Sequence, residues 1–215
     1  MSTFAEIKAN VRSNINDTQV RFYPHEDMDA SVQDGFDDVV ARTRCIIRRV
    51  TLDLPANQVY LDFAGFPFGV SDFMGVIAIK NNITNRWLDD NITLRDLDGI
   101  RENWEIATGA PYAWIPAGGR YSAIFPHYSE DQTDAIDLLY WAKAPTITDD
   151  EDTPEIPTDM QHLVELYSTP DLLEQAEELT SAVFWWKQYF NEESGIPSFY
   201  RRCRNLARAD FAARI

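Results

Sequence analysis

The side chains that could do chemistry in this 215-residue chain are few and scattered. His25, His127 and His162 stand far apart and belong to no HExxH or related metal-binding spacing. Cys45 and Cys203 lack the CxxC partner of a redox or zinc site, so they read as reduced thiols acting as small apolar residues. No GxSxG elbow, phosphate-binding loop or GxGxxG turn is present, and Gly118-Gly119 reads as a hairpin turn. The run Asp149, Asp150, Glu151, Asp152 offers oxygen ligands of the kind calcium or magnesium takes. It has neither the spacing nor the glycine of an EF-hand loop, and reads as a solvated acidic hinge. Trp185, Trp186, Tyr189 and Phe190 form an aromatic cluster that suits packing between helices or subunits better than a cofactor box. The pattern implies no catalytic residue, no metal and no cofactor. A metal-dependent hydrolase built on the acids between Asp149 and Glu155 is the enzymatic alternative.

Charge says more than motif. The 35 acidic residues outnumber the 19 Lys and Arg, for a net charge of −16. A general nucleic-acid binder needs clustered cations to neutralise phosphates, so that class is disfavoured. DNA that passes without sticking is still compatible with an acidic wall. The charge is also polarised: eleven acids and no Lys or Arg lie between Thr148 and Glu178, whereas Ile196 to Ile215 hold five Arg against one Asp. Arg201, Arg202, Arg204 and Arg208 of this basic tail are candidate contacts to another subunit or protein, as are Arg42 and Arg44 at the end of an earlier helix and the pair Trp185 and Trp186. No stretch approaches the ~20 apolar residues of a membrane span, and no leader peptide is evident. The expectation is a protein made in the cytoplasm, with no membrane partner.

The elements that must carry these residues divide the chain in three. Thr3 and Glu6 make a capping box for a helix over residues 3 to 16, with Phe4, Ile7, Val11 and Ile15 on one face. A second helix is expected from about Pro24 to Arg48, with Gly35 in its interior and Arg42, Arg44, Arg48 and Arg49 at its end. From Val50 the texture becomes short strands and turns: 50–54, 58–63, 73–80, a hairpin about Asp89-Asp90-Asn91, a helix over 96–104, a hairpin about 116–119, and 136–142. After the hinge, Thr158 and Gln161 make a second capping box, and Ser168-Thr169-Pro170 reads as the end of one helix and the start of the next. Leu172, Ala176, Leu179, Val183, Trp186 and Phe190 then form a stripe that should be buried. Pro197 opens a final helix. The fold class expected is α+β, an antiparallel helical bundle of N- and C-terminal segments (1–49 and 147–215) with an inserted antiparallel β-sandwich or barrel-like domain (50–146).

The order of these features carries a resemblance. Trp104, Gly109-Ala-Pro111, Gly119 and Phe125-Pro126 in the β region lead to Tyr140-Trp-Ala-Lys-Ala-Pro145. The acidic, proline-bearing Asp152-Thr-Pro-Glu-Ile-Pro157 and His162-Leu-Val-Glu-Leu-Tyr167 follow, then a long helix. The pattern covers nearly the whole chain and resembles the tail-tubular-protein-A-like head-to-tail adaptors of short-tailed bacteriophages. The aromatic pair Trp185-Trp186 and the proline-started basic tail depart from it.

That resemblance implies a structural virion protein at the head–tail interface. It implies a twelve-fold homo-oligomeric ring between the portal protein and the tail nozzle protein, with genomic DNA passing through the lumen. Such a role needs complementary heterologous surfaces and no chemistry. The alternative is a non-enzymatic, partner- or carbohydrate-binding β module on a helical stalk, for which Tyr60, Phe63, Trp87, Trp114 and Tyr121 could stack on sugar rings.

Overall fold

The computed structural model describes residues 2–203 except 18, 66, 101 and 118–120. The chain folds into two compact units, one from residues 2–46 and 143–203, the other from 47–142. The class is α+β: helices and antiparallel sheets, with no closed barrel among the described residues.

In the helical unit, α1 (Phe4–Asn14) starts where the sequence signals it. Thr3 Oγ1 accepts from the Glu6 N–H, and the Glu6 carboxylate accepts from the Thr3 N–H. Phe4, Ile7 and Val11 are buried along one face. The connector to α2 (His25–Thr43) is held by one buried carboxylate. Asp17 accepts from the N–H groups of Arg21 (2.8 Å), Tyr23 (3.1 Å) and Phe22 (3.3 Å) and from Arg12 Nη1 (3.1 Å). Burial alone would raise the Asp17 pKa. The three backbone donors and the Arg12 guanidinium outweigh it and hold the carboxyl below its ordinary value.

The second helix stops five residues before the expected Arg48. Arg44 adopts the left-handed conformation (φ 54°) at its C-cap. Ile46, Ile47, Val50 and Thr51 are β-branched and suit a pleated, half-buried surface better than a helix, so the chain turns into strand β1 (Ile47–Leu54). Arg48 and Arg49 therefore lie on a strand. Arg48 pairs with Asp72 (2.7 Å) and Arg49 with Asp137.

Helix α4 (Gln161–Gln175) contradicts two expectations. It is preceded by a 3-10 turn (Thr158–Met160) with no side-chain cap bond, and the Gln161 Oε1 accepts from the Ser2 N–H (2.9 Å) at the start of α1 instead. It also runs straight through Ser168-Thr169-Pro170, where a break was expected. Proline forfeits one backbone hydrogen bond there. Tertiary packing overrides that cost: Ser168, Thr169 and Pro170 are all buried, and α4 packs on α1, α2 and helix α5 (Leu179–Tyr189). Ser168 Oγ donates within reach of both Ser31 O (3.0 Å) and Val164 O (2.9 Å), and Ser31 Oγ donates to Ser168 O (3.3 Å). Gly35 sits at the same crossing, where a Cβ would come within 2.8 Å of Ser168 Oγ and 3.2 Å of Val164 O. The small residues that read as helix breakers are what let α2 and α4 approach. The actual break is at residues 176–178, with Glu177 at φ 61°. A last helix, residues 196–203, follows the turn at 191–195.

The β unit holds two antiparallel sheets. Strands β2 (Tyr60–Asp62), β3 (Phe73–Asn81), β4 (Arg86–Trp87), β5 (Ala113–Pro116), β6 (Tyr121–Phe125) and β7 (Gln132–Ala142) join β1 in the orders β1-β7-β3-β4 and β2-β6-β5. β7 lies between two partners and is buried through its middle, whereas β1, at a sheet edge, alternates. The hairpin expected about Asp89 does not form. Asp89 bridges to Ala113 of β5, and Thr93 and Asp96 cap each other to start helix α3 (Leu94–Ile100). Thr93-x-x-Asp96 is a capping signal that the strand-like Ile92-Thr93-Leu94 obscured. The helix expected over 96–104 is split: α3, then a 3-10 turn at Trp104–Ile106. β5 and β6 pair as the expected hairpin, with its turn residues 118–120 outside the described residues. Leu97, Trp104, Ala107, Ile115, Ala123 and Phe125 make the core beneath it.

Two outcomes test this packing. Gly35→Ala gains about 1 kcal/mol of helix propensity but overpacks the crossing at a typical cost of about 1–3 kcal/mol. A net loss in urea denaturation is expected, and adding Ser168→Ala should recover part of it. Asp17→Asn should lower the melting temperature at neutral pH. The wild-type advantage is full above the ordinary carboxylate pKa of about 4 and disappears as pH falls through the lowered folded-state value. The two melting curves should therefore converge in acid.

Candidate functional site: the α5 face and the charged ends

Helix α5 folds back on α4 after the turn at 176–178, and its inner side is fully partnered. Tyr189 is buried and its hydroxyl donates to Asp38 Oδ2 (2.5 Å), the same oxygen that accepts from Arg42 Nε (2.6 Å). Burial and the Asp38 hydrogen bond both raise the Tyr189 pKa, so the hydroxyl stays protonated. The Arg42 guanidinium lies 5.5 Å from the centre of the Phe190 ring, a cation–π contact. Trp186 packs edge-on against Tyr167 (5.2 Å) and stacks on Phe190 (5.9 Å), and its Nε1 donates to Glu174 Oε1 (2.6 Å). Arg42 and Trp186 thus join α2, α4 and α5 within one subunit. Trp185 is half-buried against Phe184 (5.7 Å), and Arg44 is exposed at the cap of α2.

The outer side of α5 is different. Of the stripe expected to be buried, only Leu172 is: Ala176 is exposed, Leu179 is 63% exposed, Val183 50% and Phe190 48%, with Trp186 between the two sides. Phe184, beside the stripe, is 58% exposed. The residues of α5 that are buried are Ala182 and Tyr189. The helical period holds but the buried face is rotated from the expected one: apolar residues lie on both sides of α5, and among the described residues only the side of Ala182 and Tyr189 is buried.

The charged ends partly satisfy each other within the chain. Arg202 pairs with Asp159, and Arg201 donates to Glu192 O (2.8 Å). Cys203 is buried with its Sγ 4.0 Å from Met160 Sδ, and burial raises its thiol pKa to about 11. Arg204 and Arg208 lie outside the described residues. The acidic hinge is anchored rather than loose. Asp150 O and Asp152 O accept from the N–H groups of Ala5 (2.9 Å) and Phe4 (3.0 Å) at the start of α1. Lys8 bridges Asp150 and Asp29 (2.5 Å to the latter), and the Asp149 carboxylate accepts from the Glu151 N–H. These exposed ion pairs contribute little each to stability; the backbone bonds hold the segment.

Among the described residues no group of three His, Cys, Asp or Glu side chains could hold a metal ion, and no helix is long and apolar enough to cross a membrane. His127 is buried with its Nε2 at Glu105 O, and His162 packs on Phe199. The aromatic residues of the β unit are mostly committed to packing: Phe63 and Trp114 are buried, and Trp87 is half-buried. Tyr60 and Tyr121 are each 44% exposed. A shallow cavity of about 320 Å³ is lined by Tyr60, Leu94, Asp98, Asn103, Trp104 and Glu105. Within its lining Tyr60 is paired to Glu105 (2.5 Å) and Trp104 to Asp98 (2.9 Å).

The exposed apolar residues of α5 are of the kind that mark a contact surface. The SU10 adaptor protein family model matches residues 2–210, and the chain belongs to that family. It is a phage adaptor, a structural virion component that assembles with other virion proteins. The matched family is named differently from the tail-tubular-protein-A-like group, with phage adaptor proteins the common ground. No curated protein matches the chain.

Tyr189→Phe tests the inner seam. Loss of its hydrogen bond to the Asp38 carboxylate should cost about 1.5–3 kcal/mol, the usual worth of a bond to a charged group, read by denaturant unfolding.

Proposed function

We propose that this chain is the head-to-tail adaptor of a short-tailed phage, closing into a ring of identical subunits between the portal protein and the tail nozzle. The observation that carries the reading is the exposed apolar face of α5, borne on a helix whose other side is locked to α2 and α4. A subunit in a ring needs a rigid patch of this kind that meets a different patch on its neighbour, so that the contact repeats by rotation until it closes. Twelve copies follow from the resemblance. The net charge of −16 supports a lumen that repels phosphate and leaves passing DNA mobile. The portal, the nozzle and the sister subunits are the partners, and the location is the head–tail interface of the virion. The helical segments before residue 50 and after residue 146 supply the ring contacts in this reading, and the β domain between them is an insertion.

The test is negative-stain microscopy of the purified protein, alone and mixed with its portal. Portals that gain one added layer are expected from the wild type. Leu179→Asp with Val183→Asp replaces only exposed residues, so thermal unfolding should change little while the added layer is lost. A doubly substituted protein that layers normally would overturn the assignment of α5 to assembly.

A further inference from the structure

Within the described chain the apolar stripe of α5 is covered only at its Phe190 end, by the Arg42 guanidinium and the Trp186 ring. Leu179, Val183 and Phe190 recur at helical spacing on one side of the helix and are each about half exposed or more. Acids border the stripe. Glu174, Glu177 and Glu178 stand exposed at its Leu179 end, Glu174 bonded to the Trp186 indole. The cover therefore has to be apolar and basic together. One segment of this sequence answers that description: residues 204–215 hold Leu206, Phe211 and Ile215 among Arg204, Arg208 and Arg214, with one acid, Asp210.

We propose that the C-terminal segment, residues 204–215, of a neighbouring copy of this chain docks on the apolar stripe of α5, its arginines meeting Glu177 and Glu178. The inference rests on the ring reading and names the two surfaces that meet in it. The tail leaves its own subunit at the end of α4 opposite the stripe. The described chain ends with Cys203 against Met160 and Arg202 on Asp159, both just before α4 begins. Leu179, Glu177 and Glu178 lie beyond the other end of α4, whose fifteen residues rise about 22 Å. Two unlike patches, a tail and a face, also make the contact heterologous, which is what ring closure requires.

A charge swap tests this, with portal layering read by negative-stain microscopy and folding checked by thermal unfolding. One variant reverses the face (Glu177→Lys, Glu178→Lys); another reverses the tail (Arg204→Glu, Arg208→Glu). Each alone should lose the added layer at a moderate salt concentration that the wild type tolerates. An equimolar mixture of the two should regain it, because in alternation each reversed face meets a reversed tail and each native face a native tail, always of opposite sign. One chain carrying both reversals should regain it as well. If the combined chain assembles but the mixture does not, the tail docks on its own subunit and the proposal fails. If both single variants layer normally, or if neither combination restores layering, the tail does not dock on this face, although the ring reading stands. A wild type that adds no layer to portals overturns the ring reading and this proposal with it.

Discussion

The helical unit depends on how closely α2 and α4 can approach. Gly35 presents no side chain, Ser31 and Ser168 exchange hydrogen bonds with each other's backbone, and Thr169 takes a bond from Asn14 of α1 (3.3 Å). With the helices this close, Met28, Val32, Phe36 and Val39 of α2 and Leu163, Val164 and Leu172 of α4 share one core, which Phe4, Ile7 and Val11 of α1 complete. α4 packs on all three of the other long helices. A larger residue at the crossing would disturb every one of those contacts, because interiors are packed to crystal-like density and have little slack.

From this crossing follows the division of α5 into two sides. Its inner side is specified by polar groups as well as packing: Asp38 gathers both Tyr189 and Arg42, and Glu174 holds the Trp186 indole. Each of these bonds orients a large aromatic ring and so fixes the rotation of the helix. The outer side then has no choice but to present Leu179, Val183 and Phe190 to solvent. Rigid support and an uncovered apolar stripe are the combination expected of a subunit whose work is assembly, since a preorganised surface loses little entropy when it docks.

The charge polarity of the chain is likewise divided between internal and external use. Asp159, Asp150 and Glu192 are taken up by Arg202, Lys8 and Arg201 of the same subunit. In the β unit Arg48 and Arg49 are paired across strands, and burial together with the Asp72 hydrogen bond pushes the Tyr140 hydroxyl up to about 12. Glu177 and Glu178 remain on the rim of the apolar stripe. The hinge lies at the start of α1, bonded to its first N–H groups through the Asp150 and Asp152 carbonyls, where the positive end of the helix dipole also favours nearby acids.

What the sequence determined by itself was whatever local chemistry decides: the Thr3–Glu6 cap and α1, the β5–β6 hairpin and the α+β class. These depend on neighbours a few residues apart, where side-chain type and spacing suffice. Only the tertiary structure decided the rest. Ser168-Thr169-Pro170 stays helical because burial between α1, α2 and α4 outweighs the hydrogen bond that proline omits. α2 ends at Thr43 because β1 gains a partner in β7, more than eighty residues away. Asp89 leaves its hairpin for a bridge to β5. The face that α5 buries is set by Asp38 and Tyr167, which lie on other helices. Helical periodicity reveals that an apolar stripe exists, but which stripe is covered depends on partners that the local pattern does not contain.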